Sequence, residues 1–193
     1  MFMKRNYLNQ ILRSKQTVFS FKDLLLLWGP IEIKTAKARV HYYVQSNNLI
    51  ALRKGLYAKD KNYDPLELAT KIFTPSYVSF ETVLQTAGII FQYYETIFVA
   101  SYQTKEIICD GRTFQFKTLK NTILTNNVGI EIKENISIAT PERAFLDMLY
   151  LNKDYYFDNL NPLNWDKVES ILPIYEGNQR MQKLVKNYRQ QKK

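Results

Sequence analysis

The sequence predicts an α+β protein built in two parts, and three observations lead to that reading. The first sixty residues carry three helical patterns and then a hairpin pattern. From Thr96 onward come short alternating apolar runs parted by turn dipeptides, the signature of an antiparallel sheet. Helical patterns bracket those runs on both sides, the arrangement of an α+β domain with flanking helices. The polar stretch KNYDP, Lys61 to Pro65, is the expected connection between domains of residues 1–60 and 61–193.

Composition narrows the classes. Apolar residues make up 46% of the 193, enough for a packed core and against a disordered or fibrous chain. Cys109 is the single cysteine, so no internal disulfide or thiolate zinc site can be built, and a reducing cytoplasm is the expected compartment. The LLLLW run at residues 24–28 is too short to span a bilayer, so no membrane partner is expected. The net charge of +9 is unevenly spread. Residues 1–60 hold eleven Lys/Arg against three Asp/Glu, a surplus of +8. Residues 61–179 hold ten against fifteen, or −5, and residues 180–193 hold six against none, or +6. A basic head of that density points to a polyanion, and nucleic acid is the first candidate.

Each element of the head can be justified in turn. Tyr7 to Arg13 sets Tyr7, Leu8, Ile11 and Leu12 at helical spacing. Ser20 and Asp23 form a cap-like S-x-x-D ahead of a second helix, which Gly29-Pro30 ends after Trp28. A third helix begins near Thr35 and ends around Asn47-Asn48, where an asparagine can take the left-handed cap conformation. Unrolled on a helical wheel, it gathers Ala36, Val40, Tyr43 and Val44 on a core face. Lys34, Ala38, His41, Tyr42 and Gln45 lie opposite, with Lys37 and Arg39 on the flanks and Thr35 at the start.

Those residue types suit a helix that enters a major groove. Gln and Arg can read base edges, Lys can grip phosphates, and a small residue such as Ala38 permits close approach. LIALRKGLYAK, residues 49–59, then reads as a hairpin with Arg53-Lys54-Gly55 at its tip. Three helices and a hairpin in this order predict a winged helix-turn-helix. Its third helix would meet a groove, and its wing would lay Arg53 and Lys54 on the neighbouring backbone. Winged helices also dock proteins, but positive charge on both contact elements favours DNA. His41, the sole histidine, has no partner at ligand spacing, so no metal and no cofactor is expected.

In the second part, Pro65 to Phe73 predicts a helix, and Ser79 can cap another through Thr82 to Ala87 that Gly88 stops. Thr96 to Ser101 reads as a strand. Asp110-Gly111 marks a hairpin with Phe114 and Phe116 on one face. Ile130 and Ile132 alternate with Glu131 and Lys133 before a turn at Glu134-Asn135. Helices return at Trp165 to Leu172 and roughly Gly177 to Arg189. The last is read as a docked terminal helix with a frayed QQKK end. A sharper reading makes Arg180, Lys183, Lys186 and Arg189 a second phosphate contact. The chain has no phosphate loop, no G-x-S-x-G and no paired histidines, and a nucleophilic triad is nearly excluded by the single histidine.

ISIATPERAFLDMLYL, residues 136–151, is the one stretch that resembles a catalytic carboxylate pair. Thr140 can cap a helix with Pro141 in its first turn, and Glu142 then complements the helix dipole. Five residues separate Glu142 from Asp147, which sets them about 140° apart on the helix. They cannot easily converge on one bond, whereas Arg143 and Asp147 are i,i+4 neighbours that can pair, worth a few tenths of a kcal/mol if exposed. The reading is a mostly buried helix with one narrow polar edge, no catalytic residue and no enzyme.

Three stretches taken together carry a resemblance: LRKGLYA after a basic helical module, then SYVSFETVLQTAGII, then IATPERAFLDMLYL. In that order and at this length the chain resembles the AbiEi-type antitoxins of bacterial type IV toxin–antitoxin systems, over about residues 5–155. The family's wing pattern fits Leu52 to Tyr57, with Arg53 and Lys54 as the basic pair. Its S-x-E helix start fits Ser79 and Glu81, and its T-P-E-[KR]-A-x-x-D run fits Thr140 to Asp147. Leu84 stands where the family usually has a small residue, and Val83 where alanine is common. The resemblance implies an N-terminal unit that binds double-stranded operator DNA, as a monomer or a dimer on repeated sites, and represses its own operon. It also implies a C-terminal domain that counters a nucleotidyltransferase-like toxin encoded nearby. The alternative is a stand-alone winged-helix regulator whose second domain binds a ligand or a protein.

Overall fold

The computed structural model describes residues 6–191 and is mixed α and β, with two sheets. It divides into two compact units, residues 1–72 and 73–193, each described below by itself. No helix among the described residues is long and apolar enough to cross a membrane.

The first unit runs α1 (Tyr7–Arg13), β1 (Val18–Ser20), α2 (Phe21–Trp28), α3 (Ile33–Gln45), β2 (Ile50–Arg53), β3 (Leu56–Ala58) and α4 (Pro65–Ile72). The S-x-x-D signal closes a capping box. Ser20 Oγ accepts from Asp23 N at 3.1 Å, and Asp23 Oδ2 accepts from Ser20 N at 2.8 Å. At the end of α3, Asn47 takes the left-handed conformation, with φ 56°, and lets Asn48 and Leu49 donate back to Tyr43 O. The core joins Ile11, Phe19, Leu24, Trp28, Ala36, Val40, Tyr43 and Leu49. Trp28 meets Tyr7 and Tyr43 edge-on, and its indole N–H donates to Tyr7 O at 3.2 Å.

Two features of this unit lie outside the sequence reading. The hairpin has a third strand, β1, giving an antiparallel sheet in the order β1-β3-β2. Three residues between two helices show no readable alternation. The division also falls after Ile72 rather than at residue 60, because α4 belongs with the first unit. Glu67 on α4 is 1% exposed, and its Oε2 accepts from Thr17 N, Thr17 Oγ1 and Val18 N at 2.8, 2.6 and 3.2 Å. Lys71 adds an ion pair to Asp23 at 2.7 Å.

The second unit contains β4 (Ser76–Val78), α5 (Phe80–Thr86), β5 (Ile97–Ser101), β6 (Lys105–Cys109), β7 (Arg112–Thr118), α6 (Asn121–Leu124), β8 (Ile130–Lys133), β9 (Ile136–Ala139), α7 (Pro141–Leu151), α8 (Trp165–Ile171) and α9 (Gln179–Gln191). A 3₁₀ turn at Leu172–Tyr175 follows α8. Lys192 and Lys193 of the expected frayed QQKK end fall outside the described residues. Both turn dipeptides form as read, with positive φ at Asp110, Gly111, Glu134 and Asn135. Phe114 and Phe116 are both fully buried.

The expected antiparallel sheet is corrected to a mixed one, in the order β6-β7-β5-β4-β9-β8. The central β4–β5 pair is antiparallel, but β7 runs parallel to β5 and β9 parallel to β4. Each hairpin therefore docks through its second strand. A tight turn sets the direction of the two strands it joins, not which of them meets the centre. On the outer edge, Ile132 is 80% exposed, so the alternation in β8 marks pairing and not a buried face. Helix α7 packs against α5, α8 and α9 and is the core of the unit.

Asp23 gives this fold a pH dependence. Burial alone would raise its carboxyl, but Lys71 and the Ser20 N–H outweigh burial and hold it below the usual range. A depressed folded pKa contributes stability above the unfolded value, and that contribution is lost as pH falls through the folded one. Asp23→Asn should cost about 1 kcal/mol at pH 7, the scale of a capping interaction in a half-exposed site. The gap to wild type should close below about pH 4. Denaturation followed at Trp28 in a Trp165→Phe background measures it.

Candidate nucleic-acid interface and the buried motif cluster

The residues expected to meet nucleic acid separate into those that face solvent and one that does not. Lys34, Thr35, Lys37, Ala38, His41, Tyr42 and Gln45 lie exposed along α3, and Arg53 and Lys54 lie exposed at the β2–β3 turn. Between helix and hairpin opens a groove of about 480 Å³. Its apolar wall comes from Phe21, Val40, Val44, Ala51 and Tyr57, and its polar groups are Lys37, His41 and Lys54. Gly55 keeps the tip tight, with φ 80° in the region that favours glycine. Arg39 departs from this set. It is half-buried, and its guanidinium stacks over the Tyr7 ring at 4.2 Å from the centroid, so it ties α3 to α1. Thr35 hydrogen-bonds Glu32 at 3.3 Å, which puts one carboxylate at the start of the basic face.

Sequence reasoning did not single out the groove's walls. Phe21 and Tyr57 come from elements read only for their caps and turns, and no local signal joins them to α3.

The second constellation surrounds α7, a mostly buried helix as expected, and its narrow polar edge is itself buried. Every residue from Glu142 to Leu149 is buried, and the Arg143–Asp147 pair, 3.2 Å apart, has no solvent exposure at either side chain. Asp147 Oδ1 accepts from Arg143 Nε and from the Tyr175 hydroxyl at 2.7 Å. Its Oδ2 accepts from the Tyr77 hydroxyl at 2.9 Å and Ser79 Oγ at 2.8 Å. Arg143 spends its remaining donors on Asn126 O, Val128 O, Ile123 O and the Tyr77 hydroxyl, at 3.3, 2.7, 2.8 and 2.9 Å. All five guanidinium N–H groups are used.

Burial pushes the Asp147 carboxyl upward against the pull of Arg143, Tyr175, Ser79 and Tyr77, and it pushes the Tyr77 and Tyr175 hydroxyls well up. Ser79 stands at the start of α5 but makes no side-chain cap there; its hydroxyl donates to Asp147 at 2.8 Å. Tyr77 and Ser79, two apart on an extended chain, point the same way. The i,i+4 spacing of Arg143 and Asp147 was the sign of the cluster read in the sequence; nothing local marks Tyr175. Gly129 closes the far side at φ 75°, where a Cβ would sit 2.9 Å from both Arg143 Cβ and Ile171 Cδ1.

The other motif residues are also held internally. Thr140 caps α7 by accepting from Arg143 N at 3.3 Å, with Pro141 behind it in the first turn. Glu142 accepts from Asn164 N at 3.1 Å, which anchors the start of α8. Glu81, nearly buried, takes Lys117 on both oxygens at 2.7 and 2.9 Å. Of the basic residues on α9, Arg180 is committed to Leu149 O, Tyr150 O and Asn152 O at the end of α7, at 2.9, 2.9 and 3.0 Å. Arg189 pairs with Glu169 and Asp166. Lys183 and Lys186 alone of the four face solvent without such a commitment. No family model matches the chain, and no curated protein matches it.

Removing one member of the buried pair leaves the other uncompensated. Asp147→Asn should lower the stability of this unit by about 3 kcal/mol, and Arg143→Met by as much or more, since three backbone carbonyls lose their donor as well. Urea unfolding followed at Trp165 measures both.

Proposed function

We propose that the chain is a DNA-binding antitoxin and autorepressor, in which the first unit acts as a winged helix-turn-helix on operator DNA. The observation that carries the reading is the pairing of an exposed basic helix face with a cationic hairpin tip on two sides of one groove. In this reading α3 enters the major groove with Ala38, Tyr42 and Gln45 toward base edges. Lys34, Lys37, Arg53 and Lys54 neutralise phosphates, and the hairpin is the wing. Arg39 supports the helix from behind. The second unit, which holds eight Lys/Arg against thirteen Asp/Glu over residues 73–179 and is close to neutral once the basic α9 end is included, counters a nucleotidyltransferase-like toxin. That part rests on the order of the three sequence motifs and their likeness to the AbiEi-type antitoxins. Glu142 and Asp147 have no catalytic part in it: each is buried and engaged by other groups of the chain.

Charge reversal separates the two parts of the proposal. Lys37→Glu, Arg53→Glu and Lys54→Glu together should abolish binding to the DNA upstream of the reading frame at 150 mM salt with folding unchanged. Each single change should flatten the dependence of log K on log salt by about one unit of slope. Arg39→Ala should instead lower stability by about 1 kcal/mol through the lost Tyr7 contact. Unchanged affinity in the triple variant, or affinity without salt dependence, overturns the DNA reading. Co-expression with the product of an adjacent reading frame tests the second part, which fails if the whole chain gives no rescue from a toxic neighbour.

A further inference from the structure

The second unit has a concave site of its own. Two irregular segments, the one between α5 and β5 and the one between α7 and α8, close around a cleft of about 310 Å³. Asp158 Oδ2 accepts from Phe91 N at 2.8 Å, and Asn159 N donates to Ile89 O at 3.1 Å, so the walls are tied to each other. The lining is Ile90, Gln92, Tyr94, Tyr155, Tyr156 and Asp158: three phenol rings, one carboxylate, one amide and no cation. The volume is at the bottom of the range for ligand pockets, the size of a small molecule or a single long side chain.

The walls are braced while one ring is left open. Tyr94 stands edge-on to Phe98 at 5.4 Å, Tyr155 packs on Phe157 at 5.0 Å, and Tyr188 donates to Tyr155 O at 2.6 Å. Tyr156 is 81% exposed, a large aromatic ring with almost no packing role of its own. The electrostatics are one-sided. Burial first, then Glu81, the neighbouring Tyr94 and last Asp158 push the Tyr155 hydroxyl up; the Glu81 charge is paired with Lys117, so Asp158 is the lining's own negative group. Phenol faces carry negative potential, and a carboxylate beside them adds to it, so the cleft repels phosphates and carboxylates and attracts positive charge.

We propose that this cleft is an aromatic cage for an organic cation, an ammonium or guanidinium group seated against Tyr94, Tyr155 and Tyr156 with Asp158 as its counter-charge. The cation can be supplied by a Lys or Arg side chain of a partner protein or by a free small molecule. The site is independent of the DNA reading of the first unit.

The test titrates the full-length chain with choline, with its uncharged carbon isostere 3,3-dimethylbutanol, and with the N-acetyl methylamides of arginine and lysine. Amide shifts of residues 90–94 and 155–158 are followed by NMR at low salt. A cage binds the cations at least tenfold more tightly than 3,3-dimethylbutanol, with shifts confined to those residues. Tyr156→Leu should weaken binding about threefold to tenfold without disturbing the fold, since the ring is exposed. Asp158→Asn, which keeps an acceptor for Phe91 N, should weaken it comparably and remove most of its salt dependence. Preference for the amino-acid amides assigns the cation to a protein side chain, and preference for choline assigns it to a free quaternary amine. Equal binding of the isostere, shifts spread over the whole surface, or no effect of either substitution overturns the proposal.

Discussion

Arg143 and Asp147 form an ion pair inside a helix with no solvent at either end, and the second unit is organised around satisfying it. A buried charge is tolerable only if every donor and acceptor finds a partner, and here the partners come from three separate places in the chain. Asp147 draws in β4 through Tyr77 and Ser79 and the 3₁₀ turn through Tyr175. Arg143 draws in the connection from α6 to β8 through Ile123, Asn126 and Val128. Apolar burial around Phe145, Leu146 and Leu149 supplies non-directional stabilisation. The polar network adds what burial cannot, a single rotation and register for α7 against its neighbours.

The first unit uses the same device at smaller scale. Glu67 closes the N–H groups of Thr17 and Val18 and the Thr17 hydroxyl, which ties α4 to β1 although some fifty residues separate them. Both units thus spend part of their charge inward. Several arginines are so committed: Arg39 over Tyr7, Arg143 in the buried pair, Arg180 on the end of α7 and Arg189 on Glu169. The planar fork of arginine suits several fixed acceptors at once, which a single ammonium cannot match. Among the positive charges that remain outward, Lys34 and Lys37 on α3 and Arg53 and Lys54 on the adjoining hairpin face solvent together.

Legibility followed the range of the interaction. Ser20 with Asp23, Asn47, Asp110-Gly111, Glu134-Asn135 and Thr140-Pro141 all act within four residues of themselves, and each did in the fold what its type allows. Ser79 has the right residue type for a cap, yet a carboxylate sixty-eight residues away takes its hydroxyl. β1 was invisible because three residues cannot display a period. The sheet was misread as antiparallel because a turn dipeptide carries no information about the strand beyond it. The groove beside α3 was half legible: its basic residues lie on one helical face, but Phe21 and Tyr57 reach it only through tertiary packing.

By itself the sequence determined most of the helices, the caps at Ser20, Asn47 and Thr140, the two tight hairpins of the second unit, the cationic tip of the first, and the uneven charge along the chain. These are local: they depend on backbone preferences, on periodicity and on counting. Only the tertiary structure decided which strands became neighbours, where the two units part, and which charges were left for solvent. Those outcomes depend on competition among distant groups for a limited set of partners. Arg143 and Asp147 show the difference most directly, since helical spacing brings the two together but only the surrounding fold removes them from water.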